Sequence, residues 1–145
     1  METSLEENKI DIGHGEPWPA NILSNMWPHP FVFGDLQYTC MEAFLQSLKF
    51  ENPDDANRIR NLPNFEARRE GQKGNGWKKH QKLYWDGVEI DRQNSLYYDI
   101  VSCAYEHLYD QNPLFRLGIH LTRNAILDHS IGVDSPENTI LTRID

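Results

Sequence analysis

The sequence predicts an α+β fold: one compact, helix-rich domain with a short hairpin and a small sheet. Three observations point there. The chain has 145 residues, the size of one domain. Its clearest helical stripes, over 40–50 and 94–109, do not alternate with regularly spaced strands as a doubly wound sheet requires. Two short apolar runs, Phe31–Phe33 and Leu36–Tyr38, flank Gly34 and Asp35, the spacing of a tight hairpin.

The elements follow in chain order. Residues 1–7 read as a flexible acidic tail, and Asn8–Ile12 alternates like a strand that Gly13 ends. His14–Pro30 is a loop rich in Pro, Gly and Trp, long enough to be functional or anchored by its aromatics. In the helix Cys40–Phe50, Met41, Phe44, Leu45 and Leu48 form the apolar stripe. Thr39 and Glu42 stand at capping-box spacing before and within it. Asp54 and Asp55 are positioned to cap a helix through Ile59, and Asn64 another that stops at Gly71. Gln72–Lys79 reads as a Gly- and Lys-rich loop. A long helix spans Asn94–Tyr109, with Leu96, Ile100, Val101, Ala104 and Leu108 inward. Asn112-Pro113 opens another helix in cap-then-Pro order. Ile119–Leu121, Ala125–Leu127 and Ile140-Leu141 are short apolar runs expected as strands.

Composition excludes several classes. With 39% hydrophobic and 11% aromatic residues the chain is not disordered. No apolar run approaches the ~20 residues of a membrane helix. The acidic N-terminus lacks the apolar stretch of a secretory signal. Cys40 and Cys103 are too isolated for a disulfide framework and read as buried thiols, so a cytoplasmic location is expected. The net charge of −8 hides a division: residues 49–82 hold nine basic residues against five acids, while both flanks are strongly acidic. That pattern suits a compact anion better than a DNA duplex. The six histidines show no metal-ligand spacing, and neither a metal nor a redox cofactor is expected.

One run of motifs carries a resemblance. Leu23-Ser-Asn25, Pro30-Phe31, Gly34, and then Tyr38 followed by Glu42, Gln46 and Lys49-Phe50 resemble the N-terminal signature of the YbiA-like, or NADAR, family. Ala67-Arg68 with Gly71, Trp85, Gln111-Asn-Pro113, Thr122 and Asp134 follow in a similar order. The resemblance implies a small α+β domain across residues 1–145. It also implies a hydrolase that cleaves the N-glycosidic bond of a ribosyl phosphate or ADP-ribosyl compound, such as an ADP-ribosylated base or a riboflavin-pathway intermediate. Its expected partner is that small molecule, free or on a nucleic-acid base, met by a monomer or weak dimer.

The residues fit such chemistry as follows. Glu42, Gln46 and Lys49 lie at i, i+4 and i+7, on one polar stripe of their helix. A carboxylate can stabilise an oxocarbenium-like transition state or activate water, and Glu42 is the candidate, with Asp134 assisting. The competing role for Glu42 is the capping box. Lys49 and Arg68 are candidates for holding phosphate, and Ser24 and Asn25 for orienting ribose, against ordinary turn chemistry. Gln46 belongs to the same substrate-binding set. Trp85 is a candidate stacking platform for a base, or a core residue. Two other readings stand beside this one. Ser135-Pro136 replaces the family's Trp-Gly after the late Asp, which motivates a non-catalytic ADP-ribose- or nucleotide-binding module. The basic segment 58–82, around Trp77, motivates a nucleic-acid-binding accessory protein.

Overall fold

The computed structural model describes residues 9–11, 17–122 and 126–128. Among them are six α-helices and three two-stranded sheets, an α+β arrangement as the sequence predicts. β1 (Lys9–Asp11) and β6 (Ile126–Asp128) pair in parallel, with Ile10 opposite Leu127. β2 (Phe31–Phe33) and β3 (Leu36–Tyr38) form the expected hairpin. Gly34 and Asp35 have φ of 59° and 63°, and a two-residue turn with both φ positive is the type I′ connection that matches strand twist. β4 (Lys82–Trp85) and β5 (Val88–Asp91) form a second hairpin around Asp86-Gly87.

The helix α1 (Met41–Ser47) lies at the centre. Met41, Phe44, Leu45 and the following Leu48 enter the main core with Phe31, Phe33, Tyr38, Leu83, Ile90, Tyr97 and Val101. On its other side Ala43 meets Ile59 and Ala67 of α2 (Pro53–Arg60) and α3 (Asn64–Gly71). A helix covered on two sides keeps only a narrow strip for polar groups, which here is the line of Glu42 and Gln46; the helix expected to reach Phe50 ends at Ser47, and Lys49 continues the line just past its C-cap Leu48.

Several ends differ from expectation, each because a distant partner wins over the local one. Cys40, not Thr39, is the N-cap residue of α1, and it makes no side-chain cap. The Thr39 hydroxyl instead donates to the Leu62 carbonyl at 2.5 Å, and its N–H donates to Arg60. Asn52, not an aspartate, caps α2 by accepting from the Asp54 N–H at 2.8 Å, with Pro53 in the first turn. α3 starts after Pro63, so Asn64 is its first residue. The expected loop over Gln72–Lys79 contains a 3₁₀ turn, Gln72–Gly74, and the start of α4 (Trp77–His80). Trp77 is buried in the main core and pins that segment.

The helix α5 (Ser95–Gln111) is capped by Asn94, whose side chain accepts from the Leu96 N–H. Tyr97 takes the inward place expected of Leu96, which is 49% exposed. The run Ile119–Leu121 is not a strand but the last turn of α6 (Pro113–Leu121). Helical spacing lets Phe115, Gly118 and Ile119 face inward together, with Gly118 lying directly on Ile22 and Leu23. Of the two thiols only Cys40 is buried; Cys103 stands on the outer side of α5 and is exposed. The expected strand at Ile140-Leu141 lies outside the described residues.

Candidate functional site

The polar strip of α1 gathers three of the residues the sequence singled out. Glu42 is not engaged in a capping box. Its backbone N–H is satisfied by the Asn25 carbonyl at 2.9 Å, which removes the need for a local cap. Its carboxylate accepts from Gln46 Nε2 at 2.6 Å. One turn further, Lys49 Nζ donates to Asn75 Oδ1 at 2.9 Å. Burial pushes the Lys49 amine down to about 8; the negative charge of Glu42 opposes that shift and Lys78 adds to it. The three side chains thus form a row of carboxylate, carboxamide and amine.

The row is closed on one side by glycines. Gly71, in the last turn of α3, lies on the Gln46 side chain, and Gly74 lies on Phe50 and Lys49. The Gln46 Oε1 atom is buried without a hydrogen-bond partner. A carboxamide whose donor is aimed at a carboxylate, and whose acceptor is left dry, is held by packing.

Ser24 and Asn25 approach the same end of α1 through the backbone. Ser24 Oγ accepts from the Met26 N–H at 3.1 Å, which is the turn chemistry its residue type also allowed. Asn25 Oδ1 accepts from the Tyr105 hydroxyl at 2.7 Å. Asn25 therefore ties α5 to the first turn of α1. Arg68 sits exposed on α3, one turn before Gly71. Trp85 stacks on Phe33 with 4.8 Å between centroids, donates its N–H to the Tyr38 hydroxyl, and covers Gly34. Those contacts join the indole to the hairpins and not to the polar row. Asp134 lies outside the described residues. Asn75 and Tyr105 were not foreseen. Asn75 reads as one more polar loop residue between glycines, and Tyr105 as one more helix-face tyrosine.

The basic segment is partly neutralised within itself. Glu70 pairs with both Arg58 and Lys73, at 3.0 and 2.9 Å, and these two pairs hold its carboxyl below the usual range. Lys82 pairs with Asp91. Among the described residues no cluster of three His, Cys, Asp or Glu side chains gathers to hold a metal, and no helix is long and apolar enough to cross a membrane.

The fold and site thus define a small α+β domain with a carboxylate–amide–amine row along and just past its central helix. The chain belongs to the family of bacteriophage protein GP30.3, whose family model matches residues 17–145. It is similar to the "Uncharacterized 17.1 kDa protein in Gp30-rIII intergenic region" of Enterobacteria phage T4, with 29% identity over 95% of this chain and 91% of that protein. No solved structure matches. These findings overturn the resemblance to the YbiA-like, or NADAR, family: the matching family is GP30.3, and the motif residues serve local ends. Ser24 closes a turn, Gly34 sits in a hairpin beneath Trp85, and Gly71 seats Gln46.

Proposed function

We propose that the polar face of α1 hydrolyses the N-glycosidic bond of a ribosyl phosphate or ADP-ribosyl compound. The observation that carries this reading is the Glu42 carboxylate, free of the helix cap and oriented by Gln46 Nε2 beside Lys49. Glu42 stabilises positive charge developing at the anomeric carbon or takes a proton from the attacking water. The carbon–nitrogen bond breaks, its electron pair leaves on the nitrogen, and water supplies the new carbon–oxygen bond. The nitrogen regains a proton from solvent. Lys49, with Lys78 nearby, supplies positive charge for a phosphate oxygen.

The test compares the protein with Glu42→Gln on ADP-ribosylated-base and phosphoribosyl substrates, following the released base by chromatography. Loss of the carboxylate is expected to slow release by about 100-fold or more. Equal release by both proteins removes Glu42 from the chemistry.

A second reading has its own support. Arg68, Arg69, Lys78 and Lys79 are exposed and form no ion pair among the described residues. A nucleic-acid-binding accessory would use these four, and its affinity for single strands would fall steeply with salt. Affinity unchanged between low and moderate salt disposes of that reading.

A further inference from the structure

The geometry points to a second site, distinct from the α1 row, in the cleft between α5 and α6 that takes a linear aliphatic diamine. The cleft has a volume of about 470 Å³ and is lined by Tyr105, Glu106, Tyr109, Asp110, Phe115 and Ile119. That size is suited to a small molecule.

Its chemistry is divided. Tyr105, Tyr109, Phe115 and Ile119 supply an apolar, mostly aromatic wall, whose ring faces attract cations. Both tyrosine hydroxyls are engaged, Tyr105 with Asn25 and Tyr109 with His120 Nε2 at 3.0 Å. Glu106 and Asp110 supply negative charge, and neither forms an ion pair among the described residues. Among the described residues the arginine at this end, Arg116, donates to the Tyr109 and Asp110 carbonyls at 2.9 and 2.7 Å. Its guanidinium is directed to the end of α5 rather than to either carboxylate.

Spacing then selects the ligand. Glu106 and Asp110 are four residues apart on one helix face, so their Cβ atoms stand roughly 6 Å apart. That matches the distance between the nitrogens of an extended four-carbon diamine. Each ammonium group can meet one carboxylate while the methylene chain lies along the aromatic wall. A divalent metal ion would need more oxygen ligands than two carboxylates and a hydrocarbon wall provide.

The experiment is calorimetric titration of the whole chain with putrescine, n-butylamine and magnesium chloride at matched ionic strength. It is repeated on Glu106→Gln and Asp110→Asn, with tyrosine ring shifts followed by NMR in the unsubstituted protein. Putrescine is expected to bind about fivefold tighter than butylamine, and each substitution to remove about that factor. The Tyr105 and Tyr109 rings should shift on binding, while Glu42→Gln should bind as the unsubstituted protein does. Putrescine no tighter than butylamine, displacement by magnesium at equal strength, or ring shifts elsewhere overturns the proposal. Because Glu42 takes no part, its failure would leave the glycosidase reading standing, and the reverse.

Discussion

Gly71 of α3 lies so close to Gln46 of α1 that a Cβ at position 71 would stand 2.6 Å from Gln46 Cβ and Cδ. Gly71 has ordinary helical backbone angles, so glycine is required here by the close approach of two helices and not by conformation. A clash with Gln46 Cβ cannot be relieved by a rotamer change, because that atom is fixed to the α1 backbone. Gly71→Ala is expected to push α3 from α1 at a cost of about 1–3 kcal/mol. Since Gln46 orients Glu42, the proposed glycosidase activity should fall as well. Gln46→Ala in the Gly71→Ala background should recover part of the stability and none of the activity. Denaturation and turnover of the four proteins of this double-mutant cycle decide it; strictly additive stability losses would mean that the Gln46 side chain beyond Cβ takes no part in the clash.

Lys49 carries the opposite kind of cost. Its amine is held near 8 in the folded protein against 10.5 in the unfolded chain, chiefly by burial. The folded state therefore binds fewer protons between those values, and stability rises with pH across that window. At neutral pH the buried ammonium is a net penalty, and Lys49→Met should relieve it. The expected gain is on the order of 1 kcal/mol, after allowing for solvent screening of a half-buried group. On the proposed phosphate-holding role of Lys49, the same substitution should remove the protection that inorganic phosphate gives in thermal melts. A variant that melts lower at pH 7 contradicts this account of Lys49.

The first hairpin, the long helix and the α1 stripe were legible because their signals are local. The Phe31–Tyr38 hairpin needs only its two-residue turn, and α1 only its apolar period. The second hairpin was not anticipated although it carried an equally local signal, Asp86-Gly87 between Leu83-Tyr-Trp85 and Val88-Glu-Ile90, since Asp-Gly between apolar runs marks a hairpin. What was not legible depends on residues far away in sequence. Thr39 fits a capping box until Leu62 arrives 23 residues later to take its hydroxyl. Ile119–Leu121 fits a strand until Ile22 and Leu23 pack on Gly118. Within the site, the i, i+4, i+7 row was readable, but its closure by Gly71 and Asn75 was not, since only packing brings α3 and the following turn over it.

Two consecutive amides at the end of α5 should differ in their effect. Gln111 mimics a strand: its Oε1 accepts from the Val32 N–H at 2.7 Å and its Nε2 donates to the Val32 carbonyl at 2.8 Å. It thereby covers the free edge of β2. Val32 is exposed, so water can replace the amide, and Gln111→Ala should cost only about 1 kcal/mol. Asn112 is buried and its Nδ2 donates to the Pro30 and Leu108 carbonyls. Asn112→Ala leaves those acceptors dry and should cost about 2–3 kcal/mol. Urea denaturation of both variants checks the order, and a reversed order would show that the β2 edge matters more than the buried tie.

His29 should give the protein an acid-sensitive step. It is 4% exposed, its Nε2 lies 2.8 Å from the Ile22 carbonyl, and its ring meets Phe115 edge-on. A carbonyl only accepts, so neutral His29 carries its hydrogen on Nε2. Burial drives the pKa of the imidazole below 6.5, and the bond to Ile22 only partly offsets that. The unfolded chain consequently takes up a proton before the folded one does. Stability from this group is complete above pH 6.5 and is lost as pH falls toward the lowered folded value. Melting temperatures measured from pH 7.0 down to 5.5 should decline in the unsubstituted protein and stay flatter in His29→Gln. That window lies above the ordinary range of carboxylate titration, and His80, His107 and His120 are exposed. Parallel slopes for the two proteins would show that His29 titrates as it does in the unfolded chain, and that burial does not hold the ring neutral.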